Sequence, residues 1–550
     1  MKRSILVVVV LAFLLRVPFL AELPAGFTPD EASFGYDAYS LIKTASDQWG
    51  TPFPLVLESF GDFKAPLYTY LTIPSIALFG LTKFAVRLPN AVLGTFSVLT
   101  VYLLVNELFT KKKFGLVASF MLAVSPWHIM LSRGAFEANL SSFFMPLGFL
   151  LVLKARRNYK LLVLGSLLLG LNLFTYHSAR FMTPLLVVLI GILGGKYFSK
   201  IPKTKFAFPG LVFLTFMALA FVTFFAGAGS RISERSILVG AAQDAAPKRL
   251  DLINRGVPPP IAKAIYNKYT EGTTRFITNF VTYLSPTFLF SRGPLEATYG
   301  MIPGQGVLYL FELPFLLAFV LSLIKKEYRQ VKIIFLLWVC LGIIPAALST
   351  GVGYAANRAA FMLPAIQIVS SVGAIELWNK VKRFSFAKSI VVFYALFSLF
   401  FVFAFGRKYY LTPAIVSEQA MLAGNLEVAT WLKLNTSPTE KIIVSRGLSE
   451  PQIYVAFAYT LDPKVYQSSS ARWNYRAYNV NWVDQIPVYN LGTFVFKNIE
   501  QELDLAEAHY VVARPKEFSS PISKVYSFKY SNGEEAVVVA KGKAGYYASN

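Results

Sequence analysis

The stretch from Phe27 to Pro66 carries the residues best suited to chemistry: it opens with the acidic pair Asp30-Glu31 and closes on Lys64. A carboxylate can act as general base toward a nucleophile, and a cation can steady an anionic leaving group, so acid and lysine together suit a group transfer. Thr28-Pro29-Asp30-Glu31 is also a sound helix start, with a capping threonine, a proline at the first position and acids in the first turn. The helix it begins carries Phe34, Ala38, Leu41 and Ile42 on one stripe, which points that stripe to the membrane. Its acidic end then meets the edge of the apolar belt, where a carboxylate loses solvation and gains basicity. Lys64 falls at headgroup depth, a place where lysines also reach for lipid phosphates.

Three further polar clusters stand at the ends of apolar segments. They are His128 with Arg133, Glu137 and Asn139; Tyr176 with His177 and Arg180; and Tyr354 with Asn357 and Arg358. Each alone could anchor a helix at the interface, and a lone histidine is usually a satisfied core group. Several on one face point to a site, and arginines there could grip a phosphate with paired donors.

These clusters need a scaffold, and the composition says which kind. The 550 residues are 55% hydrophobic and 15% charged, with a mean hydropathy of +0.51, which excludes an ordinary soluble domain. Apolar runs near the ~20 residues needed to cross a bilayer recur at 4–20, 90–109, 115–131, 138–154, 160–175, 182–196, 206–226, 306–324, 332–349, 359–376 and 387–405. The chain is therefore read as a polytopic α-helical membrane protein with about eleven spans. The formal charge of +23 would suit nucleic acid if it were clustered on a soluble domain, but many of the basic residues sit in short links between apolar runs, where they set topology. Cys340 is the single cysteine, so no intrachain disulfide or thiolate cluster can form, and His128, His177 and His509 are too scattered for a metal site. The first segment lacks a convincing cleavage site and reads as a retained helix.

The segment 66–81 is apolar but contains Pro66 and Pro74. If it lies along the outer interface, Lys111–Lys113 and the links at 154–160, 196–205, 325–330 and 379–388 all fall with Met1–Arg3 in the cytoplasm, as the positive-inside bias requires. The first outer loop (21–89), the large loop 227–305 and the C-terminal region then share the extracytoplasmic face of the cell membrane. Within the large loop, 261–284 reads as one or two amphipathic helices resting on the bilayer. From Lys408 the composition changes. MLAGNLEVATWLKLN reads as a helix, while KIIVSR, TFVFK, HYVVARP, KVYSFKY and EAVVVAKG read as strands. SEPQIYVAFAYT fits either state. Residues 408–550 thus form a small soluble α/β domain beside a 1–407 membrane domain.

The run from Pro66 through Phe144, with Asp30-Glu31 before it, resembles the core of the GT-C glycosyltransferases, in the bacterial branch related to protein O-mannosyltransferases and the lipid A aminoarabinose transferase. The resemblance rests on Asp30-Glu31, on Lys64-Ala65-Pro66-Leu67-Tyr68, where Ala65 replaces a proline, and on Val86-Arg87-Leu88-Pro89. Glu137 stands near the place of a family aspartate. The resemblance implies a sugar passed from a polyprenyl-phosphate donor to an extracytoplasmic lipid, glycan or protein acceptor. Asp30 would be the general base, Glu31 its support, and Lys64 with Arg133, Arg180 or Arg358 would hold the donor phosphate. Glu137, His128, His177 and Tyr354 complete the candidates. Two acids could assist a divalent cation without specifying one, so metal dependence stays open. A transporter or flippase of lipid-linked glycans is the alternative, though it would favour internal repeats and mid-membrane polar groups. An acyl- or phosphotransferase would want a histidine or serine nucleophile with a partner.

Overall fold

The structure is a computed structural model and describes residues 2–193, 195–199, 201–227, 236–350, 356–412, 415–473 and 477–544. Every apolar segment named above falls on helix. Helices α1 (Lys2–Leu14), α2 (Pro29–Thr44), α3 (Leu67–Phe79), α4 (Lys83–Leu108), α5 (Lys113–Val124), α6 (Pro126–Ser132), α7 (Ser141–Lys154), α8 (Leu161–Asn172) and α9 (Ala179–Leu193) lead into Ala207–Gly227, Leu313–Ser322, Arg329–Ala347, Ala365–Val381 and Ala387–Gly406. Four helices in the described residues are long and apolar enough to cross a membrane, and α5 with α6, bent by 60°, makes a fifth if counted as one span. The remaining apolar helices, α3 among them, are shorter. The bend falls at Ser125-Pro126, where proline supplies no N–H for the ladder and the Ser125 hydroxyl caps the new start.

The stripe of α2 packs on protein and not on lipid. Phe34 and Ala38 are fully buried in a cluster with Tyr68, Val86 and Phe457, so α2 is sandwiched between α3, α4 and the helix Pro451–Tyr459. Gly35 sits at the closest approach, where a methyl group would lie 2.4 Å from Val86 Cγ2. Only Ile42 of the stripe is exposed. The expected membrane-facing placement is thus corrected: the C-terminal region supplies the covering surface.

In the large loop, 261–284 resolves into the end of Pro259–Ile265 and the amphipathic Lys268–Leu284, the latter started by an Asn267 capping box. The C-terminal region holds a six-stranded sheet, β4 (Val488–Leu491), β5 (Phe494–Lys497), β3 (Ile442–Ser445), β6 (Tyr510–Ala513), β8 (Glu535–Lys541) and β7 (Lys524–Lys529) in spatial order. The trio β5-β3-β6 is parallel and the outer pairs antiparallel. Five of the six strands are the ones read from apolar patterning; β4 escaped because it alternates weakly around Asn490. SEPQIYVAFAYT is helix from Pro451 to Tyr459.

Candidate active site

Asp30 and Lys64 meet. Lys64 Nζ lies 2.7 Å from Asp30 Oδ1, with the lysine side chain 8% exposed and the aspartate 58% exposed. The first turn of α2 positions Asp30, through reciprocal capping in which Glu31 N–H donates to Thr28 Oγ1 and Thr28 N–H to Glu31 Oε2, both at 3.2 Å. Lys64 is placed by a two-stranded hairpin, β1 (Leu57–Glu58) with β2 (Phe63–Lys64), and its ammonium lies over the Phe34 and Phe60 rings at 4.8 and 5.6 Å. Two outside contacts hold the hairpin. His177 Nε2 lies 2.7 Å from the Phe63 carbonyl, and Val483 N–H donates to the Phe60 carbonyl at 3.0 Å. Gly61 makes the second contact possible: its φ is +116°, and a Cβ there would sit 2.0 Å from the Asn481 carbonyl oxygen.

Glu31 has a different office from its neighbour. It is fully buried, and Arg87 grips it with Nε to Oε1 at 2.8 Å and Nη2 to Oε2 at 3.0 Å. Ala135 N–H donates to Oε1 at 3.0 Å. Arg87 spends its remaining donors on the carbonyls of Leu20, Pro24 and Gly26. The Asp-Glu and Val-Arg-Leu-Pro motifs thus lock to each other, and the buried Glu31 anchors the helix turn that carries the exposed Asp30. Asp30 itself keeps its solvent, contrary to the expectation of a desolvated acid.

The raised pKa falls on Glu137 instead, which is pushed up to about 8, by burial first and by the Asp30 charge second, against the opposing pull of Lys64. Half-buried at the turn before α7, it places a protonated carboxyl within electrostatic range of the Asp30–Lys64 pair at neutral pH. Asp62 joins the same field. Arg358 comes in from the other side and hydrogen-bonds Tyr176, with Tyr299 and Glu296 in its field. Tyr299 and Glu296 belong to the large loop, and nothing in their sequence setting singled them out.

The remaining candidates divide. Arg180 is fully buried with Nε, Nη1 and Nη2 all lacking a hydrogen-bond partner among the described residues; its guanidinium lies 5.2 Å from the Phe224 ring. Arg133 is equally buried, but it donates to the carbonyls of Leu15, Pro18, Phe19 and Leu23 and lies over Tyr410. It ties down the α1–α2 connection with both Nη atoms and leaves Nε as its one nitrogen without a partner among the described residues, a correction to the expected paired grip on a phosphate. His128 is corrected likewise: its Nδ1 lies 2.8 Å from Arg16 Nη2 and its Nε2 3.1 Å from Ser142 Oγ, all buried. Both ring nitrogens are taken up inside the helix bundle. Tyr354 lies outside the described residues. Among those residues no group of three or more His, Cys, Asp and Glu side chains is placed to hold a metal ion.

Apolar helices, a carboxylate–cation pair and a six-stranded sheet region give the chain the build of a multi-pass membrane protein. Residues 63–225 match the family model of dolichyl-phosphate-mannose-protein mannosyltransferases. ArnT from Cupriavidus metallidurans, solved bound to undecaprenyl phosphate, superposes with a TM-score of 0.54 at 12% identity, over 98% of this chain and 97% of that one. The archaeal oligosaccharyltransferase AglB from Archaeoglobus fulgidus, in complex with an inhibitory peptide and a dolichol-phosphate, gives 0.46 at 15% identity over 83% of this chain. The chain spans 63% of the length of that protein. No curated protein sequence matches. The chain therefore has a fold like that of ArnT, and residues 63–225, which include Lys64 and Arg87, match the mannosyltransferase family model.

Proposed function

We propose that the protein is a glycosyltransferase that takes a sugar from a polyprenyl-phosphate donor and passes it to an acceptor hydroxyl outside the cytoplasm. The observation that carries this reading is the Asp30–Lys64 pair, an exposed carboxylate held 2.7 Å from a buried ammonium in a GT-C fold whose relative ArnT was solved with undecaprenyl phosphate. About eleven spans, with residues 408–550 on the side of the active site, complete the topology we infer from the positive-inside bias.

Asp30 takes the proton of the acceptor O–H as that oxygen attacks the anomeric carbon. The carbon–oxygen bond to phosphate breaks, and polyprenyl phosphate departs with the electron pair, giving inversion in one displacement. In the empty site Lys64 neutralises Asp30. A donor phosphate competes for that ammonium, so donor binding frees the carboxylate to act as base. Arg358 and Arg180 add charge for the phosphate. Glu31, locked to Arg87, and His177, on the Phe63 carbonyl, position the base and the lysine. Glu137, protonated, adds a hydrogen-bond donor without a second negative charge.

Asp30→Asn lowers transfer by about 10³, the middle of the range for a general base, while insertion stays as in the wild type and the unfolding midpoint falls only modestly, because Asp30 is exposed but Lys64 loses its charged partner. The measurement is sugar transfer from a panel of undecaprenyl-phosphate sugars by purified protein. Turnover within a few-fold of wild type in the mutant would remove Asp30 from the role.

A further inference from the structure

A cavity opens where three distant segments meet: the connection after α1 (Leu23, Pro24), the large loop (Gly300, Ile302) and the stretch that leaves the helix Ala387–Gly406 (Lys408, Tyr409). Its volume is about 140 Å³, roughly ten times the space a single water needs. Pro24, Gly300, Ile302 and Tyr409 form a buried floor, and Leu411 stands at the rim, 75% exposed. Pro24 separates this cavity from the Asp30–Lys64 site. Its carbonyl accepts from Arg87 Nη1 at 2.9 Å, on the side of Glu31. Its ring meets Gly300, where a Cβ would lie 2.9 Å from Pro24 Cγ.

Two charges, Lys408 and Glu418, line the cavity without pairing. Lys408 Nζ donates to the Pro303 carbonyl at 2.9 Å, which leaves two of its three N–H groups unspent. Glu418 is buried, and its Oε2 accepts from Ser531 N–H at 3.0 Å and from the Ser531 hydroxyl at 3.1 Å. Its other oxygen accepts no hydrogen bond among the described residues, and neither side chain has an ion-pair partner among them. The Ser417 hydroxyl, also in the lining, is spent on the Met301 carbonyl at 2.8 Å. A cation and an anion held apart in a small, otherwise apolar cavity suit a ligand that carries both charges close together. The rim continues into lipid-facing surface. Phe393, Leu396, Phe400 and Phe403 are each 62–68% exposed along one stripe of Ala387–Gly406, which is long and apolar enough to cross a membrane. Leu411, one π turn further on, carries that stripe to the cavity. Phe13, Leu14 and Phe19 expose a second apolar surface at the end of α1, and the Tyr410 hydroxyl joins the two by donating to the Leu15 carbonyl. Such surfaces meet lipid chains, so Lys408, directly beyond the helix, stands at headgroup depth.

We propose that this cavity binds a phospholipid whose head group carries an ammonium, of the phosphatidylethanolamine class: its phosphate meets Lys408, its ammonium meets Glu418, and its acyl chains run along the stripe from Leu411 to Phe393. The site is separate from the Asp30–Lys64 pair and does not rest on the glycosyltransferase reading. Because Glu418 also holds Ser531, between β7 and β8, a lipid bound there fastens the C-terminal region and the large loop to the membrane helices.

The test titrates the full-length protein in detergent with phosphatidylethanolamine, phosphatidylglycerol or phosphatidylcholine of identical acyl chains, and reads bound lipid by native mass spectrometry. The proposal expects one phosphatidylethanolamine bound at least about tenfold more tightly than either of the others, since it alone offers both a phosphate and N–H donors for Glu418. Glu418→Gln, which keeps an oxygen for Ser531, removes that preference. Lys408→Gln weakens phosphatidylethanolamine binding about tenfold, the loss of a charged hydrogen bond. Leu411→Asp, at the exposed rim, sets a carboxylate beside the phosphate and weakens binding as well, which keeps the test open should a charge variant not fold. Equal affinity for the three lipids overturns the proposal. A preference for phosphatidylglycerol overturns it too, because it marks a lone cation. A phosphatidylethanolamine preference unchanged in the folded variants places the lipid elsewhere and refutes this cavity as its site.

Discussion

The α1–α2 connection buries Arg87 and Arg133 and the start of α9 buries Arg180, each completely, and the two regions surround their guanidiniums differently. Around the connection, Arg87 is filled by backbone carbonyls and the Glu31 carboxylate, and both Nη atoms of Arg133 donate to carbonyls, leaving only its Nε without a partner among the described residues. At the start of α9, Arg180 has three nitrogens without a hydrogen-bond partner among the described residues. A buried charge whose hydrogen bonds are met inside the chain fixes the fold, whereas one left unmet costs free energy until an anion arrives. The difference separates structural cations from ligand-binding ones in a chain where both kinds sit at helix ends.

Breaking the saturated side should have the largest effect on stability. Arg87→Ala leaves Glu31 charged and buried, so the unfolding free energy falls by about 3–5 kcal/mol, the usual cost of removing one partner from a buried pair. Thermal unfolding in detergent reads this directly, and a midpoint unmoved by the substitution would dissolve the contrast. On the unsaturated side, Arg180→Met removes a charge that has no internal partner. Stability is then equal to or greater than the wild type, while the KM for polyprenyl-phosphate sugar rises about tenfold from the loss of a charge-assisted phosphate contact. A destabilised Arg180→Met would place Arg180 with Arg133.

The smallest effect sharpens the view of the opening. Glu137 titrates near 8 in the folded protein against an ordinary 4.5, so between these values the folded state holds a proton that the unfolded chain has released. Stability from this group is full below the lower value and is lost as pH rises through the upper one. Glu137→Gln should flatten that part of the stability–pH curve. An identical slope in both proteins would show that Glu137 is ionised across the range.

Much of this was legible in the chain itself. Apolar length located the helices, apolar patterning located β3, β5, β6, β7 and β8, and the types of Asp30-Glu31 and Lys64 pointed to one site, while Arg87 entered only through the motif of the family resemblance. The errors have a common cause. The stripe on α2 was assigned to lipid because a sequence does not say whether an apolar face meets a bilayer or another helix, and here Phe457, more than 400 positions away, covers it. Arg133 and His128 looked like site residues because their type and depth were right. Which carbonyls and hydroxyls meet them depends on segments distant in the chain. Glu296 and Tyr299 carried no local signal at all.

The sequence by itself determined that the chain is a helical membrane protein with a sheet-bearing C-terminal region, and which residue types could act. Bilayer length and side-chain period are local properties, readable in one window. Only the tertiary structure decided which charges are spent. Glu31 belongs to Arg87, Lys64 belongs to Asp30, and Arg180 belongs to nothing within the described chain, because a charged group's role is set by the partners folding brings within about 3 Å.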